Sequence, residues 1–262
     1  MSTREGIFMG NSYRIDRIYN LLLQRNSATV KELAQYFHVT PTTIRRDLLE
    51  LEDRKLIFRS RGSAFLLGDG EAEANVFLEE KKRIAAMAAK YISNGMSVSM
   101  DTGSTISALC DYLVTDSVLN NLDFVTSSPG NALRICKKFN VSIPGGSIPG
   151  GSQVPSSEFM VGLEVEEFFK KINVDVAFLS STGVYNCAGL TVSYPLQLPV
   201  KKYSALCADK RIALLDSSKF SRRGIYVFCD FKDVDTLITV KTDSNAEQLD
   251  RIAGMGTEIV LV

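Results

Sequence analysis

The apolar positions of this chain first follow a helical period and then alternate between strand-like and helix-like stretches. Over residues 13–24, Ile15, Ile18 and Leu22 recur at helical spacing with Tyr19 and Leu21 beside them, which predicts a helix with one apolar face. Asn26-Ser27-Ala28 interrupts it. Leu33, Ala34 and Phe37 mark the inward side of a second, shorter helix, and Ile44, Leu48 and Leu51 recur at i, i+4 and i+7 in a third. Residues 56–66 read as a small hairpin. From Phe77 onward, strands are expected at 97–100, 124–126, 141–143, 174–179, 212–215, 236–240 and 259–262. Helices are expected between them, at 78–92, 106–114, 131–139, 198–208 and from 245. Such alternation predicts a mostly parallel sheet with helices on both faces.

The polar residues that punctuate the first three helices sharpen the reading. Thr29-Val30-Lys31-Glu32 has the form of a capping box, in which hydroxyl and carboxylate each satisfy a backbone amide. His38-Val39 makes a turn. Thr40 is placed to cap the third helix, with Pro41 at its first position, where a missing N–H costs nothing. Two short helices joined by a tight turn, the second of them capped, is the helix-turn-helix layout. The outer face of that second helix carries Thr42, Thr43, Arg45 and Arg46 beside Thr40. Hydroxyls and free amides at a helix start take phosphate oxygens, and arginine binds guanine edges bidentately. Arg59 and Arg61 alternate along one side of the hairpin, so it can serve as a basic wing. These features set the expected division: a winged DNA-binding domain over 1–67, a glycine-rich linker over 68–76 and an α/β domain over 77–262.

Charge changes the picture only when it is divided. The 262 residues carry 30 Lys plus Arg against 30 Asp plus Glu, a net charge of zero. Residues 1–67 hold 11 basic and seven acidic side chains, a net +4, which leaves −4 on the remainder. The basic part coincides with the helix-turn-helix, as expected of a segment that meets a polyanion.

Composition excludes several chemistries. His38 is the only histidine, so a His–Asp relay or a His-based zinc cluster is not expected. Cys110, Cys136, Cys187, Cys207 and Cys229 are scattered, without a C-x-x-C pair, and read as reduced core residues. No metal or cofactor is expected. No apolar run reaches about 18 residues, and no leader pattern opens the chain, so no membrane span is expected and the location is expected to be cytoplasmic.

In an open parallel sheet, ligands bind at the carboxyl ends of the strands. Here those ends carry Asp101 followed by Gly103-Ser104-Thr105, then Thr126-Ser127, Gly150-Gly151, Gly183 and Lys219. Glycine admits close backbone approach, successive amides at a helix start bind phosphate, hydroxyls add donors, and lysine adds a point charge. Together they predict an anionic, hydroxyl-rich small ligand.

Thr29-Val30-Lys31-Glu32-Leu33-Ala34, Val39-Thr40 and Thr43-Ile44-Arg45-Arg46-Asp47-Leu48 with Leu51 resemble the DNA-binding domain of the DeoR family of bacterial transcriptional regulators. The likeness continues through Lys81 to Ala86, Asp101-Thr102-Gly103-Ser104-Thr105, Asp175-Val176-Ala177-Phe178-Leu179, Gly189-Leu190-Thr191, Val200-Lys201 and Asp216-Ser217-Ser218-Lys219-Phe220, which resemble the family's sensor domain. The resemblance implies a fold similar to ribose-5-phosphate isomerase and a phosphorylated sugar as effector. It also implies that Gly103, Ser104 and Thr105 hold the phosphate while Thr126, Ser127, Gly151, Gly183, Lys201 and Lys219 line the remainder, with Lys81 a lesser candidate. The chain departs from the family pattern at Arg61-Gly62-Ser63-Ala64 in the wing, and at Ser104, Ser127-Ser128 and Gln197-Leu198 in the sensor. The function expected is a repressor of a carbohydrate-metabolism operon, acting as a homo-oligomer on double-stranded operator DNA. The alternative is a sugar-phosphate isomerase or deaminase with a DNA-binding appendage, which must find its general base without a sensor-domain histidine.

Overall fold

The computed structural model describes residues 11–25, 27–54, 56–60, 62–66, 77–149 and 159–262. The chain divides into two compact units at Val76/Phe77. The linker expected over 68–76, together with Arg61 and Gly151, lies outside the described residues.

In the first unit, α1 (Asn11–Arg25), α2 (Val30–Tyr36) and α3 (Pro41–Asp53) pack around Ile15, Ile18, Leu22, Leu33, Ile44 and Leu48, all fully buried. These are the positions that helical spacing selects, so burial follows the sequence period. Both expected caps form. The Thr29 hydroxyl accepts from the Glu32 amide at 3.1 Å, and the Glu32 carboxylate accepts from the Thr29 amide at 2.7 Å. The Thr40 hydroxyl accepts from the Thr43 amide at 3.2 Å, with Pro41 opening α3. His38 turns the chain between α2 and α3 in the left-handed region, at φ 53°.

Three short antiparallel strands complete this unit: β1 (Ser27–Thr29), β2 (Ile57–Ser60) and β3 (Ser63–Leu66), in the order β1-β3-β2. The hairpin is as expected. The interruption after α1 is instead a strand, because Ser27, Ala28 and Thr29 gain partners in β3 that local sequence does not announce. Gly62 turns the hairpin at φ 80°, a conformation that favours glycine, and its carbonyl accepts from the Val30 amide at 3.0 Å, which ties the wing to α2.

The second unit is built on seven parallel strands in the order β12-β11-β9-β7-β4-β5-β6. They are β4 (Ser97–Met100), β5 (Asp123–Thr126), β6 (Asn140–Ser142), β7 (Val174–Leu179), β9 (Ala208–Leu215), β11 (Thr236–Thr239) and β12 (Glu258–Leu261). Side chains alternate between two cores. Val176, Phe178, Ile212 and Leu214 join one face with Ile84, Leu109 and Phe124. Ala177, Leu179, Ala213 and Leu215 join the other with Phe169, Leu190, Val200 and Phe231. The helices are α4 (Leu78–Ala88), α5 (Ser104–Thr115), α6 (Pro129–Ile135), α7 (Leu163–Lys170), α8 (Gln197–Leu206) and α9 (Ala246–Ala253).

Three elements of this unit go beyond the expectation. Helix α7 fills one face with Val165 and Phe169, and β8 (Gly189–Val192) and β10 (Tyr226–Asp230) form a separate antiparallel ribbon. Helix α6 begins two residues earlier than expected, where Ser128 caps and Pro129 opens it, the same device as Thr40-Pro41. Cys110, Cys207 and Cys229 are buried, as expected, but Cys136 is exposed at the end of α6 and Cys187 is half-buried.

Candidate functional site

The DNA-reading candidates are set out by the burial of α3. Ile44, Asp47, Leu48 and Leu51 face inward, which leaves Thr42, Arg45 and Arg46 exposed along one face and Thr43 half-buried. The Thr40 and Thr43 hydroxyls lie 2.9 Å apart and also serve the cap, so these two candidates hold the helix start in place. Among the described residues of this unit, Asp47 is the one charged residue buried in the core. Its carboxylate, fully buried, accepts from Arg14 Nε at 2.6 Å and from Arg14 Nη2 at 2.9 Å. This fork fixes α3 against α1 and so sets the angle at which Arg45 and Arg46 are presented. In the sequence, Asp47 stands out only as part of the Thr43-Ile44-Arg45-Arg46-Asp47-Leu48 motif.

On the wing, Arg59 donates from Nε to the Glu52 carboxylate at 2.6 Å, and the same carboxylate accepts from the Arg59 amide at 3.1 Å. This pairing holds Glu52 below the usual carboxylate range, through the Arg59 side-chain bond first. Arg59 is exposed but engaged with its own domain.

The effector candidates of the second unit fall into two groups at the strand ends. The first centres on Asp101, just past β4. Its carboxylate accepts from Lys201 Nζ at 2.8 Å, from the Ser180 amide at 2.8 Å and from the Thr102 amide at 2.7 Å. Lys201, in α8, also donates to Ser180 Oγ at 3.0 Å and lies over the Phe228 ring, 5.3 Å from its centroid. Asn131 donates to the Asp101 carbonyl at 2.9 Å and accepts from Ser107 at 2.8 Å. Asp101, Thr102, Thr105, Asn131 and Lys201 are all buried.

Beside this network, Gly103 caps α5 at φ 101°, and a side chain there would sit 3.1 Å from Ser180 Oγ. Glycine is needed both for the conformation and for the approach of the Ser180 hydroxyl. Ser104 and Thr105 form the first turn of α5, whose amides point along the helix toward the strand ends. Thr102, Ser127, Phe159, Gln197, Val200 and Lys201 come together here around a narrow crevice. Thr126 turns inward, its hydroxyl accepting from the Ser128 amide at 3.0 Å.

The second group lies past β7 and β9. Lys219 is buried in a short helical turn, Ser217–Phe220, whose start is capped by the Asp216 carboxylate. The Lys219 carbonyl accepts from the Val184 amide at 2.7 Å, next to Gly183. A side chain at Gly183 would lie 2.1 Å from the Arg222 carbonyl oxygen, so close backbone passage requires glycine. Ser181 Oγ accepts from the Gly183 amide at 3.1 Å and from the Thr191 amide at 2.9 Å. Lys81 is fully buried in α4. Next to it, Glu80 accepts from the Ser217 amide at 2.8 Å and the Ser217 hydroxyl at 2.9 Å. Burial pushes the Glu80 carboxyl above its usual range, while the Ser217 bonds pull it back.

Ser180 and Asn131 were missed in the sequence, though both organise the Asp101 group. Ser180 had a signal: Ser180-Ser181-Thr182-Gly183 follows the apolar run of β7 directly, where a parallel sheet delivers its chain to a site. Among the described residues no cluster of His, Cys, Asp and Glu suits a metal ion. Burial raises the Cys207 and Cys229 thiols to about 11 and Cys110 further, so these three are held as thiols.

Two family descriptions match this chain, the DeoR-like helix-turn-helix domain over residues 14–67 and the DeoR C-terminal sensor domain over residues 76–241. The chain belongs to the DeoR family of transcriptional regulators. It is 29% identical to the HTH-type transcriptional regulator GlpR of Haloferax volcanii, over 93% of this chain and 95% of that one. It is 28% identical to the glycerol-3-phosphate regulon repressor of Escherichia coli, over 88% and 91% respectively. Among solved structures, a D-ribose-5-phosphate isomerase in complex with phospho-erythronic acid aligns with a TM-score of 0.40 and 20% identity, covering 55% of this chain and 54% of that one. Among the described residues no helix is long and apolar enough to cross a membrane.

Proposed function

We propose that this DeoR-family regulator is a repressor of a carbohydrate-metabolism operon whose effector, a phosphorylated sugar, binds at the strand ends of the second unit. The observation that carries this reading is the Asp101 network. A buried carboxylate, a buried lysine and Ser180 lock the loop that leads into Gly103 and the free amides at the start of α5. A preformed, rigid amide cradle suits a phosphate. The name of the glycerol-3-phosphate regulon repressor, a relative along most of the chain, agrees with a small phosphorylated polyol or sugar.

The effector would take its phosphate at Gly103, Ser104 and Thr105. Its hydroxyls would meet Thr126, Ser127, Gly151, Gly183, Lys201 and Lys219, with Asp101 orienting Lys201. Operator contacts would come from Thr40, Thr42, Thr43, Arg45 and Arg46 on α3 and from Arg59 and Arg61 on the wing, with domains at 1–67 and 77–262 and a linker at 68–76. The protein acts in the cytoplasm, as a homo-oligomer, and is a sensor, not an isomerase. The acids nearest the strand ends support that last point. The Asp101 carboxylate accepts four hydrogen bonds from its own domain, and Asp216 accepts from the Ser218 amide and hydroxyl. Both hold loops in place, whereas a general base needs an oxygen directed at substrate.

A thermal-shift comparison of sugar phosphates with their dephosphorylated sugars tests this reading. The effector raises the melting temperature, because a ligand of the native state stabilises it by mass action, and its dephosphorylated form does not. Equal shifts for both members of a pair remove the phosphate site. Turnover of a sugar phosphate at ordinary enzymatic rates removes the sensor-only reading.

A further inference from the structure

The helix α8 and the strand β10 lie side by side, and four large apolar side chains on or next to them are in solvent: Leu196 just before the helix, Leu206 at its last position, Ile225 just before the strand and Val227 on it. Ile225 is 80% exposed and Leu206 56%. Leu206 and Val227 line the same groove, whose lining also includes Lys202 and Arg211 together with Asp230 and Asp233. Strand β10 pairs with β8 along one edge, and among the described residues no strand pairs with its other edge. A strand edge flanked by exposed apolar residues is a template for another chain, and natural proteins leave such edges open where a partner covers them.

We propose that the α8–β10 face is where a second copy of this chain docks, about a twofold axis. The charges decide the partner. A twofold interface brings one patch onto its own image, so the patch must be complementary to itself. This one carries two cations and two acids together with apolar side chains, so rotation can set Lys202 and Arg211 of one copy against Asp230 and Asp233 of the other. A patch of a single sign would repel its own copy. Apolar side chains together with charged residues of both signs are the composition of a protein–protein interface. None of the effector candidates lies on Leu196, Leu206, Ile225 or Val227, so the face and the strand-end site are separable by mutation.

Sedimentation velocity of the full-length protein at micromolar concentration tests the proposal, with three variants. Wild type is expected at a mass of at least twice the 28.9 kDa chain. Ile225→Asp with Val227→Asp is expected to halve that mass with an unchanged circular dichroism spectrum, since both side chains are solvent-exposed in the single chain. Lys202→Glu, on an exposed helix position, is expected to weaken self-association by roughly tenfold or more, because like charges then meet across the axis. Adding Asp233→Lys to Lys202→Glu is expected to restore most of it. Should the double aspartate variant lose its fold, the Lys202 and Asp233 pair decides the matter. A wild-type protein that sediments at 28.9 kDa overturns the proposal, as does a wild-type mass retained by folded Ile225→Asp/Val227→Asp and by Lys202→Glu.

Discussion

The carboxylate of Asp101 and the ammonium of Lys201 meet at 2.8 Å although one hundred residues separate them, and both side chains are almost wholly buried. The pair joins the loop after β4 to helix α8, and Ser180 after β7 completes it. Removing one member of a buried pair leaves the other charge uncompensated, which typically costs about 3–5 kcal/mol. Lys201→Ala is therefore expected to lower the stability of the second unit by about that amount in urea unfolding. A loss below about 1 kcal/mol would show that the pair is not formed in solution.

The fork between Arg14 and Asp47 makes the same kind of prediction for the first unit. Asp47→Ala removes the buried carboxylate to which the Arg14 guanidinium donates and is expected to cost about 3 kcal/mol. Because the fork fixes α3 on α1, DNA affinity falls with the folded fraction of this unit, and excess DNA rescues it by mass action. Unfolding of the first unit at wild-type denaturant concentration would contradict this role.

Arg45 and Arg46 are exposed on α3, so replacing them leaves the fold intact and reports on DNA alone. Arg45→Ala and Arg46→Ala are each expected to weaken binding to a duplex selected by the wild-type protein by about 1–3 kcal/mol if the side chain reads a base, with relaxed selectivity at that position. A phosphate contact instead lowers affinity uniformly and reduces the salt slope by about one. Fluorescence anisotropy at matched salt separates the two, and unchanged affinity for both variants removes α3 as the reading helix.

Glu80 provides a pH signature. Burial raises its carboxyl above the ordinary value, so the folded state holds that proton more readily than the unfolded state. Its contribution is then fully present below the unfolded pKa and is lost as pH rises through the folded value. Glu80→Gln keeps an acceptor for Ser217 but removes the charge, so any lost hydrogen bond acts equally at all pH. The variant's melting temperature relative to wild type is expected to be higher at pH 7 than at pH 4, and a pH-independent difference would contradict the shift.

Elements with local causes were legible in the sequence. The caps at Thr29 and Thr40 and the stripe Ile44, Leu48, Leu51 depend on residues within one or two turns, and all stand where spacing places them. The seven parallel strands were legible because buried apolar runs alternate with helices. What escaped is what distant partners create. Strand β1 exists because β3 pairs with it, and β8 is four residues buried throughout, without the alternation that marks a strand. Helix α7 carries its apolar side on Val165 and Phe169 among acidic residues, a pattern too short to stand out. At the candidate site, the glycine and hydroxyl loops could be read from turn chemistry, but the join of Asp101 to Lys201 and Ser180 is a product of sheet order, which no local spacing encodes.

The most direct test of the account is operator affinity measured with and without the sugar phosphate found by thermal shift, for wild type and for Lys219→Ala. Wild type is expected to change its affinity on adding that ligand. Lys219→Ala, which alters a buried lysine of the second unit, is expected to bind the same duplex with wild-type affinity and to ignore the ligand. A wild-type protein whose DNA affinity is indifferent to the ligand, or a folded Lys219→Ala variant that responds as wild type does, would contradict the account.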